Sequence, residues 1–178
     1  MIKIYIIGHR NIDTLSIGIE LQSTNDSLSV SPHFTTDKDS VTEYKYYLDK
    51  ETVNISYKNN ALITVMTDDN ESYGITYDDY YNNDIFCMTI ADFNVMPDKL
   101  FRTTDDEDND FENLVVWVDS STNVDRRDII ETDFLSERLE SLNYLYFCNE
   151  QVDTIVNVIN EYLNSDLEDK EKILLEYS

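Results

Sequence analysis

Four segments of the chain are dense in apolar residues and have the length of a buried strand. They cover residues 2–7, 85–90, 114–118 and 144–147. Their near-continuous hydrophobicity is typical of strands that are covered on both faces of a sheet. Apolar residues with helical spacing lie between or after these segments, at residues 15–21, 129–142, 152–163 and 167–177. This alternation predicts an α/β three-layer sandwich with a mostly parallel sheet.

Residues 34–80 have a different pattern, with shorter and more polar segments. The predicted elements in and just before this stretch are strands at 28–31, 43–48, 61–66 and 72–76, one helical turn at 49–53, and a short helix or loop at 78–83. Alternating polar and apolar residues and a stop at Pro32 favour these assignments. We therefore predict one domain over residues 1–178, with a small strand-rich insertion at residues 34–80.

An acidic segment interrupts the second half of the chain. Six of the eight residues from 105 to 112 are acidic. Because so many carboxylates cannot share a buried site without a large desolvation cost, residues 103–113 are predicted to form an exposed acidic loop.

The charge balance limits the partners that this protein can have. The chain has 37 acidic and 13 basic residues, and its formal net charge is −24. Such a field repels nucleic acid and anionic membranes, and it favours a protein partner with a basic surface. No apolar run reaches the length of about 20 residues that a membrane span needs, which predicts a soluble, cytoplasmic protein. The abundance of Asn, Asp, Ile and Tyr fits an AT-rich genome and favours a viral or phage source.

The residues that most often hold metals are few. Cys87 and Cys148 lie in apolar segments and are interpreted as buried, reduced thiols, and no Cys/His spacing predicts a metal site or a cofactor. His9 is interpreted as a surface residue of a loop. Eight tyrosines occur between residues 44 and 81, and such tyrosine-rich stretches are frequent at protein interfaces.

The opening stretch has the order of a phosphate-binding loop. A buried strand ends at Gly8, and a helical pattern begins after Thr14. A working loop of the form GxxxxGK[ST] needs a second glycine and a lysine, and both are missing here. The predicted degenerate loop comprises Gly8, His9, Arg10, Asn11, Asp13 and Thr14.

The order of segments resembles that of a guanylate kinase, the family that phosphorylates GMP with ATP, over nearly the whole chain. Ser29-Val30-Ser31 followed by Thr35-Thr36 is similar to the family motif S-V-S-H-T-T-R, and Tyr46-Tyr47-Leu48 is similar to Y-x-F-V. Tyr73-Gly74 resembles Y-G-T. The resemblance implies a P-loop kinase fold in which residues 34–80 correspond to the GMP-binding subdomain.

The sequence departs from this family at the positions that would contact phosphate and guanine. Asp13 stands where the family has a glycine, Thr14 lies near the position of the loop lysine, and Asp37 replaces an arginine. Thr64 falls where a glutamate would read the base. The resemblance thus implies a vestigial cleft or interaction surface formed by Asp37, Tyr46, Tyr73, Gly74, Arg126, Arg127 and Arg138.

These departures lead to competing functional hypotheses. The first is a catalytically inactive kinase-fold protein that acts as an interaction or structural module, with weak or absent nucleotide binding. The second is a binder of nucleotides or other small molecules, in which Arg10, Arg126 and Arg138 converge on one pocket. The third is an acidic mimic of nucleic acid that inhibits a basic protein. For the arginines, pairing with nearby acids such as Asp125, Asp128 and Glu137 is the simpler expectation.

Overall fold

A computed structural model describes residues 1–101, 111–121 and 126–178, and of residues 126 and 127 the backbone alone. The elements in chain order are β1 (Ile2–Gly8), α1 (Thr14–Ser23), β2 (His33–Thr35), β3 (Lys45–Tyr47), α2 (Lys50–Lys58), β4 (Leu62–Asp68), β5 (Glu71–Thr76), α3 (Tyr77–Asn82), β6 (Ile85–Thr89), α4 (Ile90–Asn94), β7 (Glu112–Asp119), α5 (Arg126–Leu139), β8 (Asn143–Cys148), α6 (Val152–Asn164) and α7 (Leu167–Tyr177). No helix among the described residues is long and apolar enough to span a membrane.

The central sheet is fully parallel. Its order is β6-β1-β7-β8, and β1 therefore has a partner on each side. The four strands are those that the continuous apolar segments predict. Parallel strands need helical crossovers, and these cover both faces of the sheet. The predicted α/β three-layer sandwich with a mostly parallel sheet is confirmed.

The two faces of the sheet bury different residues. On one face, aliphatic side chains of β1 and β7 pack against α1, α6 and α7. On the other face, Tyr5, Phe86 and Phe93 build an aromatic cluster with residues of α3 and α5. Fixed alternation along β1 separates the two sets, since Ile4 and Ile6 face one layer while Tyr5 and Ile7 face the other.

A second, mostly antiparallel sheet is built from residues 33–76, in the order β3-β2-β5-β4. β4 and β5 form a hairpin whose turn residues Asp69 and Asn70 both have positive φ angles, of 46° and 66°. Two such residues are typical of the tight turn that suits twisted hairpin strands. The turn lies between the two strands predicted at residues 61–66 and 72–76.

Several local predictions in this part of the chain are wrong. Residues 28–31 form no strand: Val30 makes one isolated bridge to Ile85, and the strand begins after Pro32, at His33. The segment after Asp49 is a helix of nine residues instead of one turn. Asp49 fixes its start by accepting a hydrogen bond from the Thr52 amide. Residues 77–82 are helical, which resolves the choice between helix and loop.

The apolar residues that give residues 129–142 their helical spacing are only partly buried in α5. Leu135 and Leu139 are buried, but Ile130 and Phe134 are 50% and 62% exposed. Both sets have helical spacing, and only the position of the neighbouring sheet decides which set is covered. The predicted burial of Cys148 is wrong, since Cys87 is buried and Cys148 is exposed.

Most of the predicted acidic loop at residues 103–113 lies outside the described residues. Its last two positions, Glu112 and Asn113, belong to β7 instead. Glu112 pairs with Lys170 on α7 at 3.0 Å and accepts a hydrogen bond from the Tyr162 hydroxyl at 2.8 Å. These partners explain why an acidic residue continues the strand.

Candidate functional site

The loop after β1 is a tight turn at the carboxyl end of the parallel sheet. The Ile12 amide donates to the His9 carbonyl at 2.9 Å. At Gly8, an added Cβ would lie 2.9 Å from the Ile12 side chain and 3.0 Å from the Val118 carbonyl oxygen. This crowding explains the glycine without any reference to a ligand. Arg10 and Asn11 are exposed, and Thr14 is buried as the first residue of α1.

Asp13 is the N-cap of α1. Its Oδ1 accepts a hydrogen bond from the Ser16 amide at 3.1 Å, and its Oδ2 accepts one from the Ser16 hydroxyl at 2.5 Å. A helix N-terminus attracts phosphate because its first amides have no partners within the helix. Here a carboxylate of the chain itself holds that position. An approaching phosphate would meet a negative charge and an amide that is already bonded.

His9 is buried, contrary to the expectation of a surface histidine. Its side chain is 9% exposed, and its Nδ1 lies 3.4 Å from Asp128 Oδ1 and 3.9 Å from Glu131 Oε2. The two carboxylates are on the first turns of α5. His9, Asp128 and Glu131 each place one potential metal-ligand atom within 4.8 Å of the others. Sequence spacing does not reveal this group, because more than one hundred residues separate His9 from the two acids.

A buried carboxylate that the sequence reasoning missed lies beside the loop. Asp92 on α4 accepts a hydrogen bond from the Tyr73 hydroxyl at 3.2 Å, and its amide donates to the Thr89 hydroxyl at 3.1 Å. Burial raises the pKa of Asp92, against the effect of these hydrogen bonds and of the charge of Arg10. Burial also raises the pKa of Tyr73 to about 12. The Thr-x-x-Asp spacing of a helix start is a sequence signal for this residue.

Asp37 lies in an acidic groove of 310 Å³ on the second sheet. The charged residues that line the groove are Asp37, Asp68, Asp69, Glu71 and Lys45. Asp37 accepts hydrogen bonds from the Ser40 hydroxyl at 2.5 Å and from the Asp39 amide at 3.0 Å. These two bonds hold the pKa of Asp37 below its usual value, so its charge is retained at neutral pH.

Tyr46 and Gly74 have structural roles in the second sheet. The Tyr46 hydroxyl donates to Asp79 Oδ2 at 2.6 Å, which ties β3 to α3. An added Cβ at Gly74 would lie only 2.0 Å from the Thr64 carbonyl oxygen, so the two strands approach too closely for a side chain. Thr64 is buried, and its hydroxyl accepts a hydrogen bond from the Ile75 amide at 3.1 Å.

Arg138 does not point to the loop. Its guanidinium donates to the Phe93 and Met96 carbonyls, the latter at 2.6 Å, and pairs with Asp98 at 2.8 Å. It therefore joins α5 to the segment after α4, and its partner is not the predicted Glu137. The side chains of Arg126 and Arg127 lie outside the described residues. Of the two predicted arginines with described side chains, Arg10 is the one whose charge acts on Tyr73 and Asp92.

Comparison with solved structures identifies the fold. The chain is similar to the crystal structure of guanylate kinase from Anaplasma phagocytophilum, with a TM-score of 0.56 and 14% sequence identity, over 91% of this chain and 84% of that one. No protein-family model matches the sequence, and no curated protein matches it at a significant level. At this identity the similarity shows a guanylate-kinase-like fold.

Proposed function

We propose that this protein uses a guanylate-kinase-like fold without phosphoryl transfer, and that its acidic groove binds a basic segment of a protein partner. The acidic groove around Asp37 carries this proposal. Four carboxylates line it against Lys45, and the nearby Lys50 pairs with Glu71 at 3.1 Å. Acidic residues remain in excess, so the groove favours a lysine or arginine side chain over a phosphate.

The charge of the groove opposes the substrate of a guanylate kinase. When the sequence is compared with the guanylate kinase motif, Asp37 stands at the position of the arginine that would hold the GMP phosphate. One misplaced unit charge at about 4 Å costs roughly 1 kcal/mol in water and about 4 kcal/mol at the intermediate dielectric of a protein surface. Asp68 and Asp69 add further negative charge beside it.

The loop after β1 supports the same conclusion for ATP. Phosphoryl transfer depends on positioned positive charge that follows the transferred group through the transition state. The segment Gly8 to Thr14 contains no lysine, and Asp13 already caps the helix that would receive phosphate oxygens. Both substrate phosphates would therefore meet carboxylates.

The second hypothesis, a small-molecule site built from converging arginines, has less support. Arg138 is committed to backbone carbonyls and to Asp98, on the α4 side of α5. The 220 Å³ cavity beside the loop is lined by Asp13 and Lys45 among others, whereas Arg138 lines a separate cavity of 460 Å³ together with Asp98 and Glu137. The nucleic-acid mimic has only the net charge in its favour.

Calorimetry with ATP·Mg²⁺ and with GMP tests the loss of nucleotide binding. We expect no heat of binding for either ligand up to millimolar concentration, and no phosphoryl transfer in a coupled assay. Micromolar binding of either nucleotide, or turnover near the usual 1–100 s⁻¹ of kinases, contradicts the proposal.

Copurification with charge variants tests the binding of a basic partner. Asp37→Asn/Asp68→Asn/Asp69→Asn removes three charges from the groove and keeps the side-chain size. Glu137→Gln/Glu140→Gln/Glu171→Gln removes three exposed charges elsewhere. We expect the first variant, and not the second, to lose a basic partner that the unmodified chain retains in 0.15 M salt. Equal retention by both variants contradicts a role for the groove.

A further inference from the structure

The contact between the loop and α5 contains a buried nitrogen without a hydrogen-bond partner. His9 Nδ1 has no such partner among the described residues, and the side chain is only 9% exposed, so water has little access to it. Buried polar atoms of native proteins nearly always have a partner, and an exception calls for an explanation. Among the described residues, the carboxylates of Asp128 and Glu131 face this nitrogen.

The other ring nitrogen indicates which tautomer is present. His9 Nε2 lies 3.5 Å from the Thr132 hydroxyl oxygen. The one hydroxyl proton of Thr132 is directed to the Asp128 carbonyl, at 2.8 Å. The hydroxyl oxygen therefore accepts from His9, which assigns the proton of the neutral ring to Nε2. The bare lone pair of Nδ1 then points towards two carboxylates.

A lone pair beside two carboxylates is unfavourable unless a proton or a metal cation lies between them. We propose that His9, Asp128 and Glu131 form a binding site for one divalent transition-metal cation, and that Zn²⁺ fits this donor set best. One imidazole nitrogen and two carboxylate oxygens suit Zn²⁺ better than Mg²⁺, which prefers oxygen ligands and retains its water.

The distances fit ligands of a shared ion. Two ligand atoms that each lie about 2.1 Å from a tetrahedral Zn²⁺ are about 3.4 Å apart. The Nδ1 separations are 3.4 Å to Asp128 and 3.9 Å to Glu131, and all three ligand atoms lie within 4.8 Å of one another. The contact of Nε2 with Thr132 is the kind of outer hydrogen bond that orients metal-binding histidines.

The position of the two acids on α5 has an ordinary explanation that does not account for His9. Acidic residues are favourable in the first turns of a helix, where they face its positive end. Their spacing of three residues also places them on one face. Neither effect requires a buried imidazole against that face. A cation bound by all three residues would clamp the loop after β1 to α5.

Nuclear magnetic resonance tests the site directly, because the chain contains only two histidines. Long-range ¹H–¹⁵N spectra of the unmodified protein resolve the ring nitrogens of His9 and His33. We expect one equivalent of Zn²⁺ to shift the Nδ1 resonance of His9 and to leave His33 unchanged. A His9 ring that carries protons on both nitrogens and does not respond to saturating Zn²⁺ overturns the proposal, and it identifies an imidazolium paired with the two acids.

Titration of variants against a chromophoric Zn²⁺ chelator provides a second test. The measurement is made in 0.15 M salt, which screens exposed charges beyond about 8 Å. Asp128→Asn/Glu131→Gln keeps the side-chain volumes and should weaken the tightest Zn²⁺ site at least about tenfold, while Thr132→Val should weaken it about tenfold. Glu137→Gln/Glu140→Gln has the same spacing on exposed positions and should retain the site. Equal Zn²⁺ affinity in all these proteins means binding to surface charge alone and overturns the proposal.

Discussion

The two ends of β1 each bury a basic side chain, and they treat it in opposite ways. At the amino end, Lys3 is fully buried, and its Nζ donates to the Tyr80 and Asn83 carbonyls, both at 2.6 Å. At the carboxyl end, His9 Nδ1 has no hydrogen-bond partner among the described residues. A buried polar group with partners stabilises a fold, whereas one without partners calls for an explanation, such as the bound ion proposed for His9.

The surroundings of Lys3 explain why its burial is tolerated. Its ammonium lies 4.8 Å from the ring centre of Tyr80 and 5.0 Å from that of Phe111. The two carbonyls that it contacts lie at the end of α3, where the helix dipole favours a cation. Burial lowers the pKa of Lys3, and the nearby charge of Asp84 opposes this effect. Lys3 thus acts as a structural pin between β1 and α3.

Removal of the Lys3 side chain should have the largest effect on the free energy of unfolding. Lys3→Ala leaves two carbonyls without a donor and opens a cavity, and we expect a loss of about 3–5 kcal/mol in the free energy of unfolding. Lys3→Met keeps the volume and should cost less, about 1–3 kcal/mol. Urea denaturation measures both values. A loss below about 1 kcal/mol for Lys3→Ala would mean that the ammonium is not held as the structure shows.

At the carboxyl end of β1, bound Zn²⁺ should raise the free energy of unfolding. If Zn²⁺ binds the folded chain at His9, a concentration of 100 times its Kd should add about 2.7 kcal/mol to the free energy of unfolding. Asp128→Asn/Glu131→Gln should lose this increment and keep the stability of the metal-free protein within about 1 kcal/mol. Thermal unfolding with Zn²⁺ and with a chelator checks this. An equal increment in both proteins would assign it to other acidic residues.

The fold was predictable where burial covers both faces of an element. The parallel strands are continuous apolar runs, because each is covered by helices above and below. The strands of the second sheet are as short as three residues. A segment of this length is too short to show the two-residue alternation that predicts a strand. On α5, Ile130 and Phe134 are as apolar as the buried Leu135 and Leu139. Only the three-dimensional position of the sheet distinguishes the two faces.

The candidate site was predictable in its charges and not in its contacts. Asp13 and Asp37 differ in charge from the glycine and the arginine that the guanylate kinase motif has at these positions. Both carboxylates lie on the surface side of a loop or turn. The grouping of His9 with Asp128 and Glu131 has no signal in spacing, because it depends on how α5 returns to the loop after β1. The interaction of Tyr73 with Asp92 likewise joins β5 of the second sheet to α4, which follows β6 of the parallel sheet.

At the carboxyl end of β1, Asp13 occupies the helix N-terminus that would bind phosphate in a working phosphate loop. Asp13→Ala removes the acceptor for the Ser16 amide, and we expect a loss of about 1 kcal/mol in the free energy of unfolding. Asp13→Asn keeps the cap and should cost less. Neither change should produce ATP binding in calorimetry, because the lysine is still missing. ATP binding by Asp13→Ala would show that this one carboxylate blocks the site.

The smallest expected effect concerns Tyr73 and its contact with Asp92. Burial raises the pKa of Tyr73 to about 12 in the folded protein, while a tyrosine of the unfolded chain ionises near pH 10. Between these values the folded state binds more protons, so the free energy of unfolding falls as pH rises above 10. Tyr73 is only half-buried, and solvent screening limits its contribution to the free energy of unfolding to about 1 kcal/mol or less by pH 11.

In the Tyr73→Phe variant, the free energy of unfolding measured in urea should therefore fall less between pH 9 and pH 11 than in the unmodified chain. The exposed Tyr57 provides the control, since Tyr57→Phe should leave the slope unchanged. Equal slopes for all three proteins would mean that the Tyr73 hydroxyl ionises as freely as in the unfolded chain, and that it does not hold Asp92 at the edge of the loop.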